Sequence, residues 1–323
     1  MPELSVVITV KNEELNIKPL LDTVRLALVN YDYEILLVDD GSDDRTRQQV
    51  LEYADERTVL IELRKNYGQS TAMTAGIDYS RGKYIALLDG DLQNDPTDIP
   101  AMLQLLKTDD WDVVAGNRKD RKDGFFLRKI PSKIANALIR RMTGVYIKDY
   151  GCTLKVFKRE IAEELGLYGE LHRFIPVLAK MQGARITQTN VKHHPRQFGK
   201  SKYGINRTVR VMSDLVLMVF MRRYMQQPMH FFGGIGFTSL GLGILINLYL
   251  LFLKISGHDI WGKPLLILGL ILLLGGIQFI TIGIIADINM RTYYETQNKK
   301  TYNVRKIYRG KTEISNPGII TRV

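Results

Sequence analysis

Cysteine occurs once in 323 residues, at Cys152, so no internal disulfide forms and the Cys-rich zinc patterns are excluded. That scarcity fits a reducing compartment. No basic n-region or small-residue cleavage site precedes the first strand-like run, which follows directly on Pro2-Glu3, so the large N-terminal part is expected to stay in the cytoplasm. The pattern G-x-x-x-x-G-K-[ST] is missing, and Gly234 with Gly236 lies inside an apolar run, not after a strand; neither an ATPase nor a Rossmann dehydrogenase is supported. There is no internal repeat and no low-complexity tract.

Charge is nearly missing from one block. Between Phe231 and Ala286, 56 residues, the only charged side chains are Lys254, Asp259 and Lys263. Phe231 to Leu253 and Pro264 to Ala286 are uncharged runs of 23 residues each. At about 1.5 Å per residue, each is long enough to cross roughly 30 Å of hydrocarbon. A purely soluble protein is thereby excluded. The chain has 45 Lys plus Arg against 34 Asp plus Glu, a formal charge of +11, and this excess is read against a membrane rather than nucleic acid. From Arg291 to Val323 there are eight Lys or Arg against two Glu, whereas the loop between the runs has only Lys254 and Lys263. That bias predicts a multi-pass protein of the cytoplasmic membrane with both termini inside.

The first 200 or so residues alternate strand-like and helical patterns, the signature of an α/β layer. Strands are expected at Leu4 to Val10, Tyr33 to Val38, Val59 to Leu63, Lys83 to Leu88, Trp111 to Gly116, Leu154 to Phe157 and Arg185 to Val191. A helix is expected from Asn12, as its cap, to Leu28, and others through Ala72 to Ile77, Ser132 to Thr143 and Arg173 to Met181. Thr208 to Arg223 has an apolar stripe with arginines at its ends, which suits a helix on a membrane surface or one packed on the soluble domain. The expected divisions are 1–205, a cytoplasmic domain; 206–230, a juxtamembrane helix; 231–253 and 264–286, two spans around an outer loop at 254–263; and 287–323, a basic cytoplasmic tail. Small residues spaced by four, Ser239 with Gly243 or Gly234 with Thr238, offer contacts for helix association and hence for a homo-oligomer.

Three strands finish in acidic or polar residues, and ligands of open α/β sheets bind outside the carboxyl ends of strands. Asp89-Gly90-Asp91, with Gln93 following, closes an apolar run. Gly90 permits a turn that lets two carboxylates converge, a pairing that Mg2+ or Mn2+ relieves together with waters and phosphate oxygens. An acidic turn without a ligand is the alternative.

In order, Val7-Ile8-Thr9-Val10-Lys11-Asn12-Glu13-Glu14, Val38-Asp39-Asp40-Gly41-Ser42 and Leu88-Asp89-Gly90-Asp91-Leu92-Gln93 resemble the signature of glycosyltransferase family 2, with its GT-A α/β fold. Lys148-Asp149-Tyr150-Gly151-Cys152 and the paired apolar runs resemble the polyprenyl-phosphate branch, which includes dolichyl-phosphate mannose synthase and bacterial undecaprenyl-phosphate glucosyltransferases. The resemblance implies a GT-A domain with a mostly parallel sheet, an interfacial helix and a membrane hairpin. It implies donor contacts at Thr9, Lys11, Glu13, Asp39 and Asp40, and a metal and diphosphate site at Asp89, Asp91 and Gln93. Arg118, Arg128 and Ser132 match acceptor-phosphate positions, and Arg196, Lys200 and Lys202 a loop that closes over the donor. Asp91, Arg128 and Asp149 are the expected catalytic residues; Asp149 orients acceptor or sugar, acts as a base, or caps the following strand.

The implied reaction moves a hexose, glucose from UDP-glucose being favoured, onto a polyprenyl phosphate with inversion. A phosphate monoester is largely dianionic at neutral pH, so no general base is obligatory. Two rivals are a processive polysaccharide synthase, for which neither Trp111 nor Trp261 sits in a Q-x-x-R-W run, and a non-catalytic membrane adaptor that binds nucleotide sugars.

Overall fold

Four strands, Leu4–Val10 (β1), Tyr33–Asp39 (β2), Thr58–Leu63 (β3) and Tyr84–Asp89 (β4), are buried along nearly their whole length. Burial on both faces is why each reads as a continuous apolar run and not as an alternation. They pair in parallel in the order β3-β2-β1-β4. The computed structural model that shows this describes residues 1–118, 140–141, 144–167, 171–195, 228–261, 263–295 and 301–314.

Helices Ile17–Ala27 (α1), Thr46–Tyr53 (α2), Gln69–Tyr79 (α3) and Ile99–Thr108 (α4) connect and cover these strands. Ile17, Leu20, Leu21 and Val24 of α1 and Met102, Leu103 and Leu106 of α4 pack with Val6, Ile8, Leu37 and Leu88 in one core. Full burial of each such side chain contributes about 1.5–3 kcal/mol. On the opposite face α3 lies so close that a Cβ on Gly76 would stand 2.2 Å from Val7 Cγ1.

The sheet extends through Val113–Asn117 (β5), Lys155–Lys158 (β6) and Ile186–Asn190 (β7), with Arg159–Glu163 (α5) and Ile175–Met181 (α6) between the last two. β6 runs antiparallel to β4 and β5, whereas β7 is parallel to β5. Beyond residue 300 the chain adds Val304–Arg309 (β8) and Thr312–Glu313 (β9), giving the order β7-β5-β6-β4-β1-β2-β3-β8-β9. The GT-A-like α/β architecture is thus present, and within the segment 287–323, expected as a basic tail, β8 and β9 form the far edge of the sheet. β8 lies antiparallel to β3, with Ile61 opposite the buried Ile307.

The start of the first helix also differs from expectation. Asn12 adopts φ 55° and α1 begins only at Ile17, because residues 12–14 bond across to the turn after β2. Asn12 N donates to Ser42 Oγ at 2.9 Å, Asp43 N to Asn12 Oδ1 at 2.8 Å, and Glu13 N to Thr46 Oγ1 at 2.9 Å.

Residues 216–299 form a second unit. Its described helices, Pro228–Ile255 (α7) and Pro264–Glu295 (α8), contain stretches of 25 and 23 residues long and apolar enough to cross a bilayer. They meet through Gly236, Gly243, Gly269 and Gly276, and Ser239 Oγ donates to Leu272 O at 2.9 Å. Of the expected small-residue pairs, Ser239 and Gly243 lie at this contact; Gly234 faces open space. The expected helices at 132–143 and 206–230 lie almost wholly outside the described residues.

Candidate active site

The register brings the acidic strand ends together. Thr9 stands opposite Val38 and Asp89, and Val10 opposite Asp39, so the ends of β2 and β4 flank the end of β1. Asp39 is fully buried; it accepts from Ser42 N at 3.2 Å and from Arg47 Nε at 2.6 Å. Asp40 accepts from Tyr67 N at 2.7 Å and Gly68 N at 3.0 Å. Burial raises its carboxyl above the ordinary range, against the pull of those two N–H groups and of Lys11. Gly41, at φ 70°, allows the turn: a Cβ there would lie 2.7 Å from Asn66 N. Both carboxylates thus fix the turns that follow β2 and β3. Arg47, the partner of Asp39, was not identified in the sequence, since an arginine at the start of a short helix has no distinguishing pattern.

At the end of β4 the chain curls as Gly90 leads one to expect. A Cβ on Gly90 would stand 2.6 Å from Val10 Cγ1, so only glycine lets this segment lie on β1. Asp89 Oδ1 accepts from Gln69 Nε2 at 2.7 Å, and Asp91 Oδ1 from Gln93 N at 3.2 Å. Burial, and then the like charge of Asp91, push the Asp89 carboxyl up to about 6, a sign that the two carboxylates share one low-dielectric space. Among the described residues no group of three or more His, Cys, Asp or Glu forms a metal cage. Two neighbouring carboxylates are nonetheless the donor type that a hard divalent cation takes. Gln93 uses its carbonyl to accept from His194 N at 2.9 Å and His193 Nδ1 at 3.1 Å.

Arg118 and Asp149, assigned separate roles from the sequence, form a forked pair: Nε donates to Oδ2 at 2.7 Å and Nη2 to Oδ1 at 3.0 Å. Gly151 N also donates to Asp149 Oδ1, at 3.1 Å, and a Cβ on Gly151 would lie 3.1 Å from Arg118 Nη2. Asp149 therefore holds Arg118, a use that none of the three sequence alternatives included. Desolvation lowers the proton affinity of Arg118, but its bonds to Asp149 outweigh this and raise the net value. The positive charge of Arg118 also acts on Asp89, pulling its carboxyl down against the effect of burial.

Lys155 was also missed, because a lysine in Leu-Lys-Val-Phe reads as an outward residue. It is 1% exposed, donates from Nζ to Cys152 O, and has its proton affinity lowered by burial. Opposite Leu87 in the ladder, it shares the face of the sheet that bears Asp89. Cys152 is buried too, and its thiol is pushed up to about 11. Glu13 accepts from Asn16 Nδ2, and Thr9 and Lys11 keep partial exposure at the end of β1. Arg128, Ser132, Arg196, Lys200 and Lys202 lie outside the described residues.

Comparison with known proteins accords with this geometry. The family model described as glycosyl transferase family 2 matches residues 5–166. Dodecaprenyl-phosphate galacturonate synthase of Rhizobium johnstonii is 48% identical over 314 residues, 95% of this chain and 93% of that protein. Undecaprenyl-phosphate 4-deoxy-4-formamido-L-arabinose transferase of Pseudomonas fluorescens is 34% identical over 98% of this chain and 93% of its own. Among solved structures, glucosyl-3-phosphoglycerate synthase of Mycobacterium tuberculosis, crystallised with Mn2+, UDP-glucose and phosphoglyceric acid, superimposes with a TM-score of 0.51 at 17% identity, covering 68% of this chain and 79% of that one. That likeness speaks to the fold alone. Family model, full-length relatives and fold agree: the chain belongs to glycosyl transferase family 2 and is a glycosyltransferase.

Proposed function

We propose that the chain transfers a sugar from a nucleoside diphosphate donor to the phosphate of a polyprenyl phosphate, at the cytoplasmic face of the membrane. The observation that carries this reading is the place of Asp89 at the end of β4, level with Thr9 of β1 and followed at once by Gly90-Asp91, in a chain whose relatives are named for polyprenyl-phosphate products. Asp89 and Asp91, with Gln93 beside them, would hold Mg2+ or Mn2+, whose charge offsets that of the departing nucleoside diphosphate. Thr9, Lys11, Glu13, Asp39 and Asp40 shape the donor end, and Arg196 and Lys202 supply cations for the diphosphate. Arg118, held by Asp149, joins Arg128 and Ser132 in orienting the acceptor phosphate. The acceptor is already ionised, so the residues position and neutralise, and direct attack inverts the anomeric centre.

For the sugar, the relative named for galacturonate, 48% identical over 95% of the chain, favours a hexuronate over the glucose that the motifs suggest. The membrane reading gains support from the ladder between β3 and β8, since paired strands share one side of a bilayer. An even number of crossings must separate them, and α7 and α8 supply two.

The test is to incubate the purified full chain with undecaprenyl phosphate, Mg2+ or Mn2+, and UDP-galacturonate, UDP-glucose and other nucleotide sugars in parallel, then weigh the extracted lipid by mass spectrometry. A glycosyl phosphoryl lipid is expected, with UDP-galacturonate the best donor. Sugar released only into water, with none on lipid, would overturn the proposal.

A further inference from the structure

The segment that leads into β8 bonds to the 64–68 turn and to α3. Tyr302 is 4% exposed, and its hydroxyl donates to Asp78 Oδ2, in the last turn of α3, at 2.7 Å. Asn303 O accepts from Arg64 N at 3.0 Å, and Asn303 Nδ2 donates to Tyr67 Oη at 3.3 Å. Val304 then pairs with Leu63 to begin the β8 ladder.

These contacts fall on two pieces, the 64–68 turn and α3. The same pieces present Tyr67 N and Gly68 N to Asp40, and Gln69 Nε2 to Asp89. Burial and the adjacent Asp78 carboxylate raise the Tyr302 phenol far above its ordinary range, so it remains a neutral donor at any working pH. A strand that only covered the edge of β3 would need the ladder, not a buried hydroxyl aimed at α3.

We infer that Tyr302 is a positioning residue for the donor: it pins the last turn of α3 and so seats the adjacent Asn303 against the 64–68 turn, and Asp40 and Asp89 thereby keep the partners that orient them. The inference rests on the reading of the crevice as a nucleotide-sugar site. It makes the segment after the second apolar helix part of the donor machinery.

The experiment uses the full chain in detergent, with Tyr302→Phe, Asp78→Ala, the double variant, and Lys306→Gln as a control that removes an exposed charge paired with Glu313 and set over the Tyr308 ring, leaving the bonds of Tyr302 and Asn303 intact. Hydrogen exchange is read first, without ligand. Loss of one buried hydrogen bond is expected to speed exchange at the amides of residues 67–69 about fivefold in either single variant, with the double variant no faster and the control unchanged. Unchanged exchange overturns the inference whether or not the chain is active.

Steady-state transfer and UDP binding are read second. The donor KM and the Kd for UDP are expected to rise about fivefold, with kcat and the acceptor KM within about twofold of the parent. Faster exchange with an unaltered donor KM would mark Tyr302 as merely structural and overturn the inference. A parent chain that neither binds UDP nor transfers sugar overturns the site reading and the inference with it; that result is distinct, since the exchange difference would persist.

Discussion

Arg118 and Asp149 meet as a two-pronged ion pair, at 2.7 and 3.0 Å, with side chains only 11% and 7% exposed. Removing the carboxylate leaves a buried guanidinium without its counter-charge, so Asp149→Ala is expected to destabilise the fold by about 3–5 kcal/mol, read from the denaturation midpoint. Asp149→Asn separates positioning from base catalysis. A group that only holds Arg118 lowers the rate without moving the acid limb of the pH–rate profile, and a displaced limb would make Asp149 the base. Arg118→Lys keeps the charge but loses the fork, and is expected to cut transfer at least about tenfold.

Asp89 and Asp91 predict a pH dependence with a definite sign. The folded carboxyl, at about 6, holds a proton that the unfolded chain releases near 3.8. Stability from this pair is therefore full below about pH 4 and lost as pH rises through about 6, by at most about 3 kcal/mol. Asp89→Asn is expected to raise the thermal midpoint at pH 7.5 without adding stability at pH 4, while abolishing transfer. Mn2+ should stabilise the parent at pH 7.5 and progressively less below about pH 6, as protons compete for the carboxylates. Thermal melts with and without the cation at each pH check both.

Gly41 and Gly183 form a controlled comparison. Both adopt positive φ, 70° and 86°, but a Cβ at Gly41 would collide with the backbone of Lys65 and Asn66, whereas at Gly183 nothing lies within 4 Å. Gly183→Ala should cost only the left-handed strain, about 1–2 kcal/mol. Gly41→Ala adds displacement of the 65–66 backbone, for a total of about 2–4 kcal/mol, and should weaken UDP binding as well. Denaturation midpoints and calorimetric titration with UDP separate the two.

Gly275 and Gly276 make the same kind of pair in the apolar unit. A Cβ on Gly276 would lie 2.7 Å from Leu240 N, while one on Gly275 meets open space. Gly276→Leu is expected to force α7 and α8 apart and broaden the size-exclusion profile in detergent; Gly275→Leu should leave the profile as it is.

Much of this was legible because the central strands are buried on both faces and stop abruptly at acids: β1 to β4 and the acidic tips of β2 and β4 stand out against their own neighbours. What could not be read depends on distant partners. Asn12 looks like a helix cap until the turn at Ser42 to Thr46, some 30 residues on, takes its hydrogen bonds. Arg118 and Asp149 are 31 residues apart, and nothing local marks them as a pair. Val304 to Arg309 carries Val, Ile and Tyr before a Gly310 turn, a fair strand signal, but its basic residues and its place after the apolar block make it look like a tail. Lys155 defeats pattern reading outright, since burial of a lysine follows from what surrounds it.

The β3–β8 ladder also constrains biogenesis. While the chain is being synthesised, residues 58–63 emerge long before their antiparallel neighbour, and both apolar helices are made in between. The nascent catalytic layer therefore waits with one open flank until residues 304–313 are translated, and an enzyme truncated after its second apolar helix would arrive at the bilayer with an unfinished sheet.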